Sequence, residues 1–385
     1  MSKEVKWITG IIIVLIIIAI LAFNNFSSEP SSENPIKIGG IFALTGIGAA
    51  IGEEELKGAE LAIAEINRNG GVLGREIQFI PEDLSLDKMK NAGTIAQKLI
   101  NIDKVVGIIG PQWDEPAIAI LPLIEEHGVP TIGADITDTV ETDGLGENLF
   151  STWYDNRVGI LELLRFAQAR DITNIAVLRL TNGGFWKFTA DYITKQAPQY
   201  GVAITDDIDF GNPLSLDFRT SIAKINQKNP QAIFVVVSDY NQCAFIKQAK
   251  EIGFNGLVLS TESAGSKAVL GQCPEALEDL YFSTPVNNTE EYEDFEKLFF
   301  EKYERKSLFP SAVTSYDAVR VLVDAIERAG NTDRATIREE LAKTRSFKGA
   351  SLPEITFNEK GFVITPEDAF QMVVVRSGGF VKVEY

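Results

Sequence analysis

Histidine is nearly missing from this 385-residue chain, His127 being the single example, and cysteine occurs only as Cys243 and Cys273. With no CxxC motif, almost nothing is left from which a Cys/His zinc site could be built. The two cysteines pair in an oxidising compartment or stand as two buried thiols, and the sequence leaves both open. There is no P-loop and no G-x-S-x-G, and neither a nucleophile–base pair nor a metal-ligand set is visible. Positive charge is in deficit too: 36 Lys and Arg stand against 54 Asp and Glu, a formal net charge of −18. Such a field repels nucleic acid and anionic headgroups, so neither is expected as a partner. The charge serves solubility first and permits a cationic ligand without demanding one.

What is present is enough for two domains. The length exceeds one ordinary domain. Apolar residues make up 45% and charged residues 23% of the chain, as in well-packed globular proteins. One long apolar run exists, WITGIIIVLIIIAILAF at 7–23, preceded by Lys3 and Lys6. At about 1.5 Å per residue it barely spans a hydrocarbon core, and its basic flank places the rest of the chain outside the cytoplasm. An A-x-A cleavage site is lacking and no lipid-accepting cysteine follows. Residues 1–26 are therefore expected as a membrane anchor, with a cleaved signal peptide as the alternative, and 27–35 as a linker.

Beyond the linker, strand and helix patterns alternate. Short apolar runs at 36–42, 77–80, 105–109 and 130–132 are separated by helical patterns at 53–67, 88–100 and 115–126. The rhythm restarts with strands at 175–180, 202–209, 232–237 and 257–260, around helices at 185–200, 218–229 and 240–252. This predicts α/β architecture, with parallel sheets covered on both faces and a ligand cleft at the carboxyl ends of the strands.

Three local features invite chemical readings. Gly46, Gly48 and Gly52 follow a strand and open a helix, with Asp83 after the next strand as a ribose partner. That resembles a dinucleotide fingerprint, but Ala43-Leu44-Thr45 intervene and the spacing is one residue too long. His127 ends a helix, where an imidazole complements the negative terminus. Glu53-Glu54-Glu55 are expected in a first helical turn, where they favour the dipole.

Four stretches then carry a resemblance. They are IKIGGIFALTGIGAAIGEEELKGAELAIAEINRNGGVLGREIQF; VVGIIGP with AIAILPLIEEHGVPTI; IFVVVSDYNQCAFIKQAKEIGF; and LVLSTES. In order and spacing they resemble type I periplasmic binding proteins, the leucine/isoleucine/valine-binding branch of ABC-transporter receptors. The resemblance implies two doubly wound parallel-sheet lobes joined by three hinge crossovers. Lobe one would comprise 36–153 and 286–348, and lobe two 154–285 and 349–385. It implies a solute receptor that hinges shut on a small molecule (an amino acid, amide or amine) and docks on ABC permease subunits, without cofactor or catalysis. A tethered sensor acting through a partner chain and an exported enzyme are the competing readings.

Carried onto this chain, the family's pocket-lining position of the first loop falls on Ile51. The serine that holds a ligand carboxylate falls on Asp114, beside Trp113. The alanine–threonine pair falls on Ile136 and Thr137, preceded by Asp135. The acid that holds the ligand's ammonium falls on Glu262, and aromatic walls fall on Phe185 or Trp186 and on Tyr240. Asp114 departs from the pattern. A helix N-terminus attracts anions, so an aspartate there is expected to cap the helix and repel a ligand carboxylate. With Asp135, Asp239 and Glu262 close by, a cationic, amide-like or hydroxyl-rich ligand is expected in place of a plain α-amino acid.

Overall fold

The computed structural model describes residues 31–46, 48–85, 91–137, 146–180, 184–211, 216–237, 239–286 and 288–385. The expected anchor at 1–26 lies outside the described residues. Among those described, no helix is long and apolar enough to cross a membrane.

Two sheets organise the chain. In the first, β1 (Ser31–Phe42), β2 (Arg75–Asp83), β3 (Gly107–Ile109), β4 (Thr131–Gly133) and β5 (Leu149–Ser151) lie in the order β2-β1-β3-β4-β5, all parallel. Residues 31–35, expected as linker, lengthen β1, and Ser31 pairs with Arg75. The second sheet runs β12-β11-β10-β9-β8-β6-β7. Its strands are β6 (Asn174–Arg179), β7 (Ala203–Asp209), β8 (Ala232–Val236), β9 (Leu257–Ser260), β10 (Leu280–Pro285), β11 (Phe370–Arg376) and β12 (Gly379–Lys382). Here the expectation of a parallel lobe needs one amendment, because β11 and β12 pair antiparallel at one edge.

The central strands of each sheet are buried on both faces, which is why they read as short hydrophobic runs. Alternate residues enter different cores. Ile38, Phe42 and Ile109 pack beneath one helix layer, and Ile41 and Ile108 beneath the other. Likewise Leu178, Ile233 and Val235 face one side of the second sheet, and Val177, Phe234 and Val236 the opposite side. Helix α1 (Ala49–Arg68) approaches the later helix Ser311–Ala329 so closely that a Cβ on Gly58 would lie 1.9 Å from the Ala312 carbonyl oxygen.

The chain passes between the sheets three times, and the passages are bonded to one another. Asp155 N–H donates to Thr365 Oγ1 at 2.8 Å, and Val286 N–H to the Ala369 carbonyl at 2.8 Å. The stretch 350–363, which the resemblance assigns to lobe two, makes its contacts with the first unit. Ala350 and Ser351 N–H donate to Asp317, Phe362 bridges Ser151, and Leu352, Ile355 and Phe357 join the first core.

The cysteine question resolves as a bond: Cys243 and Cys273 form a disulfide with 6.0 Å between their Cα atoms. It ties helix Asp239–Ile252 to the end of helix Lys267–Gln272, as suits an oxidising compartment. It closes a loop spanning 30 residues. Cys243→Ser should lower unfolding free energy by about 3 kcal/mol. Reductant should lower the melting temperature of the wild type and leave that of the variant unchanged.

Candidate functional site

The strand ends of the first unit are held by short-range bonds that also explain the glycine pattern. Gly48 sits at φ 92° immediately before α1, and a Cβ on Gly52 would lie 1.9 Å from the Ala43 carbonyl oxygen. Gln112 Oε1 accepts from Ala43 N–H at 3.1 Å. Asp83, the proposed ribose partner, spends its carboxylate on Leu44 N–H, Thr45 N–H and Thr45 Oγ1. Asp83 thus braces the turn after β1, with its carboxylate engaged by the protein's own donors.

Asp114 opens helix Asp114–His127, but the N-cap position belongs to Trp113, and no side chain caps the helix. This corrects the expectation of a capping aspartate. The buried Asp114 carboxylate turns instead to the loop after β4, accepting from Thr137 N–H at 2.8 Å and from Thr137 Oγ1 at 2.7 Å. Both Thr137 donors thus face a carboxylate supplied by the protein itself. Trp113 is held at φ 70°, ψ 164°, a conformation that costs a non-glycine residue on the order of 1–3 kcal/mol and that clusters at functional sites.

Asp135, two residues before Thr137, is the electrostatic hub. It is held well above the ordinary carboxylate range, first by desolvation, then by the charges of Asp114 and Glu262, with hydrogen bonding to Trp113 opposing. Glu262 comes from the other unit, in the turn Glu262–Gly265 just after β9. It is 5% exposed and accepts from Asn156 Nδ2 at 2.5 Å. Burial pushes it up to about 7, against its own backbone N–H and Asn156. Asn156 is in turn fixed by Trp153 Nε1–H at 2.9 Å. Beside it the Tyr154 ring lies 4.3 Å from that of Trp153, and its buried hydroxyl has no hydrogen-bond partner. Burial, then Glu262 and Asp135, raise the Tyr154 phenol well above its usual value.

The fourth carboxylate escaped the sequence reading. Because α1 begins at Ala49, Glu53-Glu54-Glu55 fall in its second turn and not the first. Glu54 is structural, bonded to Arg305 and to Leu308 N–H. Glu55 is 0% exposed, and neither of its oxygens has a partner. Burial, then the charge on Asp135, hold it well above its ordinary value. The signal that would have found it is register, since Glu55, Ala59 and Ala62 share one buried helix face.

The remaining expected residues divide. Ile51 is half-buried one turn before Glu55 on the same face. Ile136 turns away into the first unit's core with Ile41 and Ile120, so it supplies packing behind the site. Phe185 is half-buried at the start of helix Gly184–Gln196, whereas Trp186 packs on the second unit's core. Tyr240 and Asp239 lie in the first turn of their helix, and their side chains are outside the described residues.

The two units are closed on each other. Gly184 N–H donates to Glu115 Oε1 at 3.2 Å, Lys267 Nζ meets Glu296 at 3.1 Å, and Lys267 N–H donates to the Leu308 carbonyl at 3.1 Å. An acidic surface hollow of about 320 Å³ between Glu65, Asp294 and Arg320 lies on the first unit, formed by other residues.

This arrangement of two hinged units is shared with known proteins, and the family profile described as periplasmic binding protein matches residues 35–379. The chain belongs to the periplasmic binding protein family. This periplasmic binding protein is 26% identical over 351 residues to the leucine-, isoleucine-, valine-, threonine- and alanine-binding protein of Pseudomonas aeruginosa, covering 89% of this chain and 91% of that one. Its structure is similar to a leucine-binding protein from Thermotoga maritima, with a TM-score of 0.80, 25% identity, and coverage of 91% and 98% of the two chains. It is similar in fold to a benzoate-bound transporter solute-binding protein from Rhodopseudomonas palustris, with a TM-score of 0.79, 18% identity, and coverage of 91% and 96%. At the level of the family, such proteins bind solutes outside the cytoplasm and are not enzymes.

Raised carboxyl values have a signed consequence for stability. Glu262 prefers its neutral form when folded, so its contribution is complete below about 4.5 and lost as pH rises to about 7. Glu262→Gln, neutral throughout, should therefore gain on the wild type across that window, by up to about 3 kcal/mol at the alkaline end. Denaturant melts of both proteins at intervals of pH measure the difference, and parallel curves would contradict it.

Proposed function

We propose that this periplasmic binding protein is the solute receptor of an ABC transporter, closing its lobes over a small polar, amino-bearing molecule and presenting the closed form to permease subunits. The observation that carries this reading is that Glu262 of one lobe and Asp135 of the other, both at loops that follow strands, lie near enough for the charge of Glu262 to act on Asp135, with no lysine or arginine paired to either among the described residues. Open α/β sheets place ligands at such strand ends. Closure strips water from the ligand and strengthens each polar contact, and a partner that binds only the closed form can read occupancy. Relatives named for branched-chain amino acids, threonine and alanine, and structures holding isoleucine, leucine or benzoate, support a small-solute role with a variable ligand. The apolar run at 7–23 supports tethering at the outer face of the cell membrane.

A thermal-shift screen of amino acids, amides and amines should return at least one solute that raises the melting temperature. Ligand at about 100 times Kd adds about 2.7 kcal/mol. Small-angle scattering should show the same solute making the molecule more compact. Glu262→Ala should abolish both effects, and binding that survives it at full strength refutes an interlobe site.

A further inference from the structure

The ligand's chemical class is written in which groups of the site are already engaged and which are not. This step rests on the receptor reading above and narrows it. The resemblance assigns a ligand carboxylate to the helix start at Asp114 and to Thr137. In this protein Thr137 N–H and Oγ1–H both donate to the Asp114 carboxylate, at 2.8 and 2.7 Å. An incoming carboxylate would meet a carboxylate where its donors should be.

On the acceptor side the balance is reversed. Glu55 offers two buried oxygens with no partner, beside Asp135, and the buried Tyr154 hydroxyl is unengaged. Glu262 closes from the other lobe with one oxygen on Asn156. Buried polar atoms are rarely left without partners in native proteins, so an orphaned carboxylate 0% exposed marks a place for a donor. No lysine or arginine pairs with Glu55, Asp135 or Glu262 among the described residues. Nor is any group of three or more His, Cys, Asp or Glu there arranged to hold a metal ion. The Trp153–Tyr154 pair adds aromatic surface, which attracts organic cations.

We propose that the site between Glu55 and Asp135 of one lobe and Glu262 of the other holds an organic cation bearing N–H donors and no carboxylate, such as a primary amine, an amino amide or a guanidinium compound. The cation favours the ionised form of each carboxylate, so its binding is coupled to proton release. The facing titratable groups are Glu55, Asp114, Asp135, Glu262 and Tyr154, and burial raises Glu55, Asp135, Glu262 and Tyr154 above their ordinary values.

Titration calorimetry with leucinamide, agmatine and putrescine, against leucine and benzoate, tests the class. Leucinamide differs from leucine at the carboxylate alone. At least one amine probe should bind about 100-fold more tightly than leucine, the scale set by leaving buried charged groups unpaired. Its affinity should rise from about pH 6 to about pH 8, and its heat in buffers of different ionisation enthalpy should report proton release. Glu55→Gln should weaken the amine about tenfold or more while the disulfide and the melting transition persist. Tight leucine or benzoate binding overturns this inference and leaves the receptor reading intact. Failure of all three amines overturns it too, whereas failure of the receptor reading needs the broad screen to return nothing. Amine binding without proton release, or unchanged by Glu55→Gln, also overturns it.

Discussion

A carboxylate taken out of water must be paired, hydrogen-bonded or protonated, because the interior repays little of its lost hydration. Where the two lobes of this protein close, Glu55, Asp114, Asp135 and Glu262 come together, and each meets that requirement differently. Asp114 is satisfied by Thr137, and Glu262 in part by Asn156. Burial and neighbouring carboxylates hold Asp135 and Glu55 well above the ordinary carboxylate range.

The fold exists to bring those groups to one point and still let them separate. Parallel sheets with both faces buried present their strand ends, and only those, to the gap. The three crossovers are bonded to each other at Asp155, Val286 and Thr365, close in the chain to Trp153, Tyr154 and Asn156, of which Asn156 donates to Glu262. Between the lobes, Gly184 meets Glu115 at an exposed edge, and Lys267 meets Glu296 where the carboxylate is buried.

Kinship fixes the frame and leaves the guest free to vary. Proteins of this architecture hold aliphatic amino acids in some cases and aromatic acids in others. At the helix start of this chain an acid, Asp114, takes both donors of Thr137, and the sheet behind it keeps its parallel order. Trp113 in its strained conformation marks how much backbone order is committed to the same loop.

Much of this was open to reading in the chain itself. Strand–helix alternation was visible because buried strands are apolar on both faces and helices on one, a periodicity that needs only neighbouring residues. Asp114, Asp135, Thr137 and Glu262 could be singled out because the resemblance to the binding-protein family carries its site positions onto or beside them. The position of Glu55 was misread because a helix start shifted by one turn moves an acid from a solvated end to a buried face. Ile136 looked like a pocket residue and packs inward, since a one-residue change of direction in a loop leaves no trace in spacing. The pairing of Cys243 with Cys273, the turn of Asp114 toward Thr137 across 23 positions, and the approach of Glu262 to Asn156 across 106 were decided only in three dimensions. Local periodicity reports which face of an element is buried. Which charges meet there depends on contacts between segments far apart in the chain, and those exist only once both lobes are folded and closed.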